Sequence, residues 1–425
     1  MNDQATLSSA PLRIACYALA AEDIGSVVSA NYLMLRELLE RGHEIDFFNK
    51  QSYVYPKGLF SYRNFRYIES YDAWGDRTFQ AARNIPLSLA HHLGGKVTHR
   101  TFTSLVTRNM RREQLSRHYQ VQLTLGTTAF GRIPGVPVIS WPQGPPMTDG
   151  RSIPRHRRQI IELCGRSSYL QLRAYALWRG TFGLPAFGNS DYFITGSQWS
   201  RSGIQSYGVA ADKTLALPYP IDLQEFHPGA VRPLPEEPSV LWLGRVVPRK
   251  RLDLFLDAGA LLIERGVKLR IKIIGGFAFV PGYKQLIDRF KYPDRLTYQP
   301  SIERAKVRQL MHETDVILQP SEHEDFASTP AEALACGVPV VLGKTNGTAD
   351  YVDDAGEIFD EYTPASVAEA LEKMLSRVRQ NPAETASRAR AAAERHFDLH
   401  HIVDQLEGLL HRVAVKADQL SSTTA

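Results

Sequence analysis

The chain has 425 residues, 43% apolar and 10% aromatic, which is more than one hydrophobic core ordinarily holds, so two domains are expected. Its cysteines, Cys16, Cys164 and Cys336, are scattered and carry neither a disulfide framework nor zinc-ligand spacing, which fits a reducing, cytoplasmic setting. Net charge is only +5, but residues 1–190 hold 23 Lys and Arg against 13 Asp and Glu while the rest holds 27 against 32, so the first half is the one suited to an anionic partner.

The N-terminal residues lack a basic segment followed by a long apolar one, and no run of eighteen apolar residues occurs, so neither a secretion signal nor a membrane span is expected. LRIACYA (12–18) reads as a strand. Helical apolar spacing follows over 27–40, closed by Gly42, and IDFF resumes as strand. VQLTL (121–125), VPVIS (136–140) and DYFIT (191–195) complete a first Rossmann-like unit over 1–217.

The Pro-rich segment 218–237 reads as a hinge. A second unit over 238–398 repeats the alternation, with strands SVLWLG (239–244), LRIKIIG (269–275), TDVILQP (314–320) and VPVVLG (338–343). A helix over 399–417 is expected to pack back toward the first domain, and 418–425 to be a disordered tail. The fold class is therefore α/β, with two Rossmann-like domains whose parallel sheets face each other across a cleft.

The chemistry concentrates in two stretches. In HEDFASTPAEALACGVPVV (323–341), Thr329 is placed to N-cap a helix beginning at Pro330, with Glu332 closing a T-x-x-E capping box. Backbone amides from Ser328 to Glu332 would then point outward at the carboxyl end of a strand, where open α/β sheets bind anions. Glu324 sits in the preceding loop, where a charge does nothing for packing and so suggests function, whereas His323 beside it reads as loop.

In LGRVVPRKRLD (243–253), Arg245 and Lys250 follow another strand end, and taken alone the run Arg249, Lys250, Arg251 reads as a solvated basic loop. Together the stretches suggest a cleft with fixed positive charge for a diphosphate leaving group and a carboxylate for sugar hydroxyls. The chain has no DxD pair for a divalent ion, so no metal is expected there.

These residues resemble the family-4 retaining glycosyltransferases of the GT-B fold, glycosyl transferases group 1, with their E-x7-E motif and their Gly, Arg and Lys loop. The resemblance implies that Arg245 and Lys250 contact the donor diphosphate, Glu324 the transferred sugar and Glu332 the ribose hydroxyls. Amides around Phe326, Ala327, Ser328 and Thr329 would complete the cradle. It further implies a nucleotide diphosphate sugar donor, UDP- or GDP-linked, a sugar or lipid-linked acceptor bound by the first domain, retention of anomeric configuration, and no bound cofactor.

Departures are visible: Gly25 stands alone where the family pairs glycines, Gln143 stands where many members place a histidine, and Ala327 replaces a common glycine. A basic, aromatic run over 53–69 and seven arginines in 151–179 suggest peripheral contact with an anionic membrane; no nucleic-acid motif accompanies the charge. A nucleotide-sugar epimerase and a non-catalytic nucleotide-sugar scaffold are the rival readings. A dinucleotide oxidoreductase is not, because no strand is followed by G-x-G-x-x-G.

Overall fold

The computed structural model describes residues 10–22, 26–49, 56–70, 104–145 and 147–423. Two all-parallel sheets organise them. The first contains β1 (Arg13–Ala18), β2 (Glu44–Asn49), β3 (Phe65–Glu69), β4 (Val121–Leu125), β5 (Val138–Trp141), β6 (Tyr192–Thr195) and β7 (Thr214–Ala216), in the order β3-β2-β1-β4-β5-β6-β7. The second contains β8 (Ser239–Leu243), β9 (Arg270–Ile274), β10 (Leu296–Gln299), β11 (Val316–Gln319), β12 (Val340–Gly343) and β13 (Gly356–Phe359), in the order β10-β9-β8-β11-β12-β13. Central strands such as β4 and β11 are buried along their whole length, as expected where helices cover both faces.

The strands read from sequence are the central ones, and their starts shift where a proline intervenes. β5 begins after Pro137 and β12 after Pro339, since a proline donates no ladder hydrogen bond. The edge strands β3, β7, β10 and β13 lack a continuous apolar run because one face meets solvent. LTYQ in β10, for example, alternates between half-buried and exposed positions.

Each half lends a helix to the other. Helix Arg157–Phe187 follows β5 but inserts Ile160, Leu163 and Leu172 into the core of the second sheet, beside Val280 and Tyr283, and Tyr283 Oη donates to Gln159 Oε1 at 3.0 Å. Its axis breaks at Gly165, whose φ of 85° and ψ of 163° are open to glycine. Helix Leu399–Thr423 returns to the first half, packing on Ser26–Glu40 through Ile402, Leu406 and Leu410, with Arg41 paired to Glu407 at 2.7 Å and to Asp404 at 2.6 Å. That helix runs on to Thr423, through most of the stretch read as a disordered tail.

Candidate functional site

β8 and β11 are neighbours in the second sheet, so the loops leaving their carboxyl ends must meet. The β8 loop turns at Gly244, with φ of 152°, and the Lys250 stem packs against it. A short turn over Pro248–Lys250 follows, held by Trp242 Nε1 donating to the Lys250 carbonyl at 3.3 Å. The β11 loop is tied to it by Glu322 N donating to the Arg249 carbonyl at 2.7 Å.

Between the loops, Lys250 Nζ lies 2.6 Å from Glu324 Oε1, and Arg249 pairs with the other carboxylate oxygen. Arg249 Nε also reaches Asp149, 3.4 Å away on a helix of the first half, Met147–Arg155. Burial alone would push the Glu324 carboxyl up; Arg249 and Lys250 outweigh it and hold it at about 2, so it is an anion at neutral pH. Burial, reinforced by the charges of Arg249 and Arg245 and opposed by Glu324, draws the Lys250 ammonium below its usual range. Arg245 itself is exposed and forms no ion pair among the described residues.

The solvated basic loop is therefore corrected. Arg249 turns inward to Glu324, and Arg251 pairs with Asp253 at 3.0 Å and with Glu322, because each finds a carboxylate in partly dry surroundings. Burial would raise Glu322; His156, Arg251 and Arg155 bring it down to about 2 instead.

The capping box is also corrected. The helix spans Ser328–Ala335 with Ala327 as N-cap and no side-chain cap bond, so Thr329 and Pro330 lie inside its first turn. Glu332 is not turned back to the helix start: its Oε1 accepts from Arg304 Nη1 at 2.6 Å, and it is buried. Burial raises its pKa, against the pull of Arg304. In the cradle, Ala327 N–H is already taken by Thr348 Oγ1 at 3.0 Å, and the Phe326 side chain is buried against Tyr219, with ring centroids 4.8 Å apart. Ser328 and Thr329 open the helix, where backbone N–H groups have no carbonyl of a preceding turn to bond.

Gln143 follows β5 and is committed to a reciprocal amide pair. Its Nε2 donates to Asn31 Oδ1 at 2.6 Å and its Oε1 accepts from Asn31 Nδ2 at 3.0 Å. Gly25 lies outside the described residues. His323 adopts φ of 57° and stacks on Trp199, with centroids 5.4 Å apart, and burial lowers its pKa to about 4, so the ring is neutral and packed.

Another His/Glu group, His43, Glu407 and His411, has metal-like spacing. His43 Nδ1 accepts the Leu12 N–H at 3.1 Å, however, so the neutral ring carries its proton on Nε2, aimed at Glu407 Oε1 2.9 Å away. No lone pair of His43 is left for an ion.

Residues 224–396 match the family model described as glycosyl transferases group 1. A D-inositol 3-phosphate glycosyltransferase of Mycobacterium marinum is 34% identical over 189 residues, covering 41% of this chain and 39% of that protein. Its counterpart from Thermomonospora curvata is 28% identical over 221 residues, covering 46% and 50%. The chain thus spans between two-fifths and half of the length of these relatives.

Among solved structures, sucrose-phosphate synthase of Thermosynechococcus elongatus superposes with a TM-score of 0.63 at 16% identity, over 95% of this chain and 100% of that one. Anabaena HepE, in complex with UDP and glucose, gives 0.60 at 16%, over 94% and 99%. WaaG, a glycosyltransferase involved in lipopolysaccharide biosynthesis, gives 0.61 at 15%, over 93% and 99%. The fold is the GT-B architecture of these glycosyltransferases.

Proposed function

We propose, from the match of residues 224–396 to the family model for glycosyl transferases group 1, that the chain is a retaining glycosyltransferase using a nucleotide diphosphate sugar in glycan, polysaccharide or glycolipid biosynthesis. The observation that carries this reading is the Glu324 carboxylate, fixed as an anion between Arg249 and Lys250 just ahead of the amides that open the Ser328–Ala335 helix. As the bond to the diphosphate breaks, charge grows on the leaving group and positive character grows at the anomeric carbon. Lys250, Arg245 and the helix tip meet the first need without a metal ion. Glu324 meets the second by accepting from sugar hydroxyls.

Front-face attack, with the departing phosphate taking the acceptor proton, requires no separate general base. The positively charged first half suits an anionic acceptor, such as the inositol phosphate in the relatives' names. Contact with an anionic membrane fits the exposed Leu170 and Leu177, one helical face apart by seven residues, among the arginines of 151–179.

A donor panel of UDP-, GDP-, ADP- and dTDP-sugars, read first by thermal shift and then by product formation in EDTA, tests the proposal. Stabilisation by none of them, or transfer only with added metal, would contradict it. The scaffold reading draws support from Gln143 and Glu332, both engaged by protein partners. Donor binding without product would favour it. For the membrane, flotation with and without anionic lipid decides, and equal flotation removes the idea.

A further inference from the structure

Asp325 follows Glu324 but points the other way. It is 3% exposed, and among the described residues no cation pairs with it. Its Oδ1 accepts from Gly196 N at 3.0 Å, at the end of β6 in the first half. Its Oδ2 accepts from the Tyr219 hydroxyl in the hinge, and the backbone N–H of Gly144, next to Gln143, also bonds to the carboxylate. Burial pushes the Asp325 pKa up and these donors, with the Ser200 hydroxyl, oppose it, so pulling the halves apart would leave both the carboxyl group and its donors unsatisfied.

The surroundings allow no slack. A Cβ on Gly196 would lie 2.7 Å from Phe326 Cβ, and one on Gly347 would overlap the Asp325 carbonyl and come within 2.8 Å of Ser197 Oγ. Tyr219 is wedged between Trp141, at 5.6 Å between centroids, and Phe326. Nearby, Gln198 N donates across the cleft to Asp350 Oδ2 at 2.7 Å.

We propose that Asp325 is a positioning residue: it fastens the loop carrying Glu324 to the β5 and β6 loops of the first half and sets how far the cleft is closed without any ligand. That these loops are donor-side and acceptor-side rests on the glycosyltransferase reading; the fastening itself does not.

Small-angle scattering of the full, ligand-free chain tests it, with Asp325→Ala, Asp325→Asn and Tyr219→Phe beside the wild type. Asp325→Ala is expected to enlarge the maximum dimension, while far-ultraviolet circular dichroism is unchanged. Asp325→Asn keeps one acceptor oxygen and Tyr219→Phe removes one donor, so both fall between. An Ala variant scattering as the wild type does overturns the proposal; should it fail to fold, unchanged scattering in both milder variants does so. Calorimetry with UDP separates the two readings. If UDP binds wild type and variants within about twofold while the cleft widens, Asp325 acts on closure and not on the nucleotide. Failure of every form to bind UDP, GDP or ADP sinks the donor reading and leaves scattering to decide on Asp325.

Discussion

Arg304 Nη1 lies 2.6 Å from Glu332 Oε1, and its guanidinium covers the Phe226 ring at 4.7 Å. Glu332 is buried, so Arg304→Ala strands a charge without its partner and is expected to cost about 3 kcal/mol. Burial already raises the Glu332 pKa, and losing Arg304 raises it further. A carboxyl whose folded pKa exceeds its unfolded value holds its proton in the fold while the unfolded chain releases it, so stability falls as pH rises above the unfolded value. The melting deficit of Arg304→Ala should therefore be smaller near about pH 5 than near about pH 8. A deficit independent of pH would mean that Glu332 is not the group left behind.

The meeting of Lys250 with Glu324 was legible because both follow central strands of an alternating βα pattern, and neighbouring parallel strands bring their carboxyl ends together. The partner of Arg249 was not legible. Three adjacent basic residues look alike in sequence, and only the left-handed turn at Arg251, φ 48°, and the arrival of Asp149 from the other half sort them into buried pairs. Asp325 escaped for the same reason, since its partners Gly196 and Tyr219 are 129 and 106 residues away. Glu332 misled because a capping box and a buried ion pair need the same residue, and the difference lies in Arg304, which carries no local signal.

Lys250→Ala and Arg245→Ala should each lower kcat/KM on the order of a hundredfold, about 3 kcal/mol of leaving-group stabilisation. They differ in stability. Lys250 is half-buried and paired with Glu324, so its loss should also lower the melting temperature, whereas exposed Arg245 should leave melting unchanged. Steady-state kinetics with the donor found by the panel decides. Wild-type kcat/KM in both variants would remove the cations from the reaction.

Glu322 and Glu324 are both held at about 2, below the ordinary 4.5 of a glutamate. A depressed carboxyl stabilises the fold fully above its unfolded pKa and loses that contribution as pH falls through the folded one. Acid unfolding should therefore steepen between about pH 4.5 and about pH 2, and Glu324→Gln should flatten that limb while being less stable at neutral pH. An unaltered acid limb in Glu324→Gln would show that the two cations do not hold the carboxylate in solution.

The C-terminal helix should loosen in acid before either sheet does. Burial lowers the His43 pKa against the pull of Glu407, and Glu37 and Glu407, although burial raises them, are lowered on balance by His400, Arg41 and His43. All three shifts have the same sign. The His43 contribution is complete above its ordinary 6.5 and drains as pH falls, because protonation needs Nδ1, which already accepts the Leu12 N–H. The carboxylate contributions follow below their ordinary 4.5. Hydrogen-exchange protection across 399–415, taken relative to the intrinsic rate at each pH, should fall between about pH 6.5 and about pH 4 while β8 and β11 stay protected. Arg41→Ala should reproduce that loss of protection at neutral pH, because Arg41 bridges all three of Glu37, Asp404 and Glu407. If the helix and the β8–β11 core lose protection together, the buried Ile402, Leu406 and Leu410 hold it in place and the titrating groups do not.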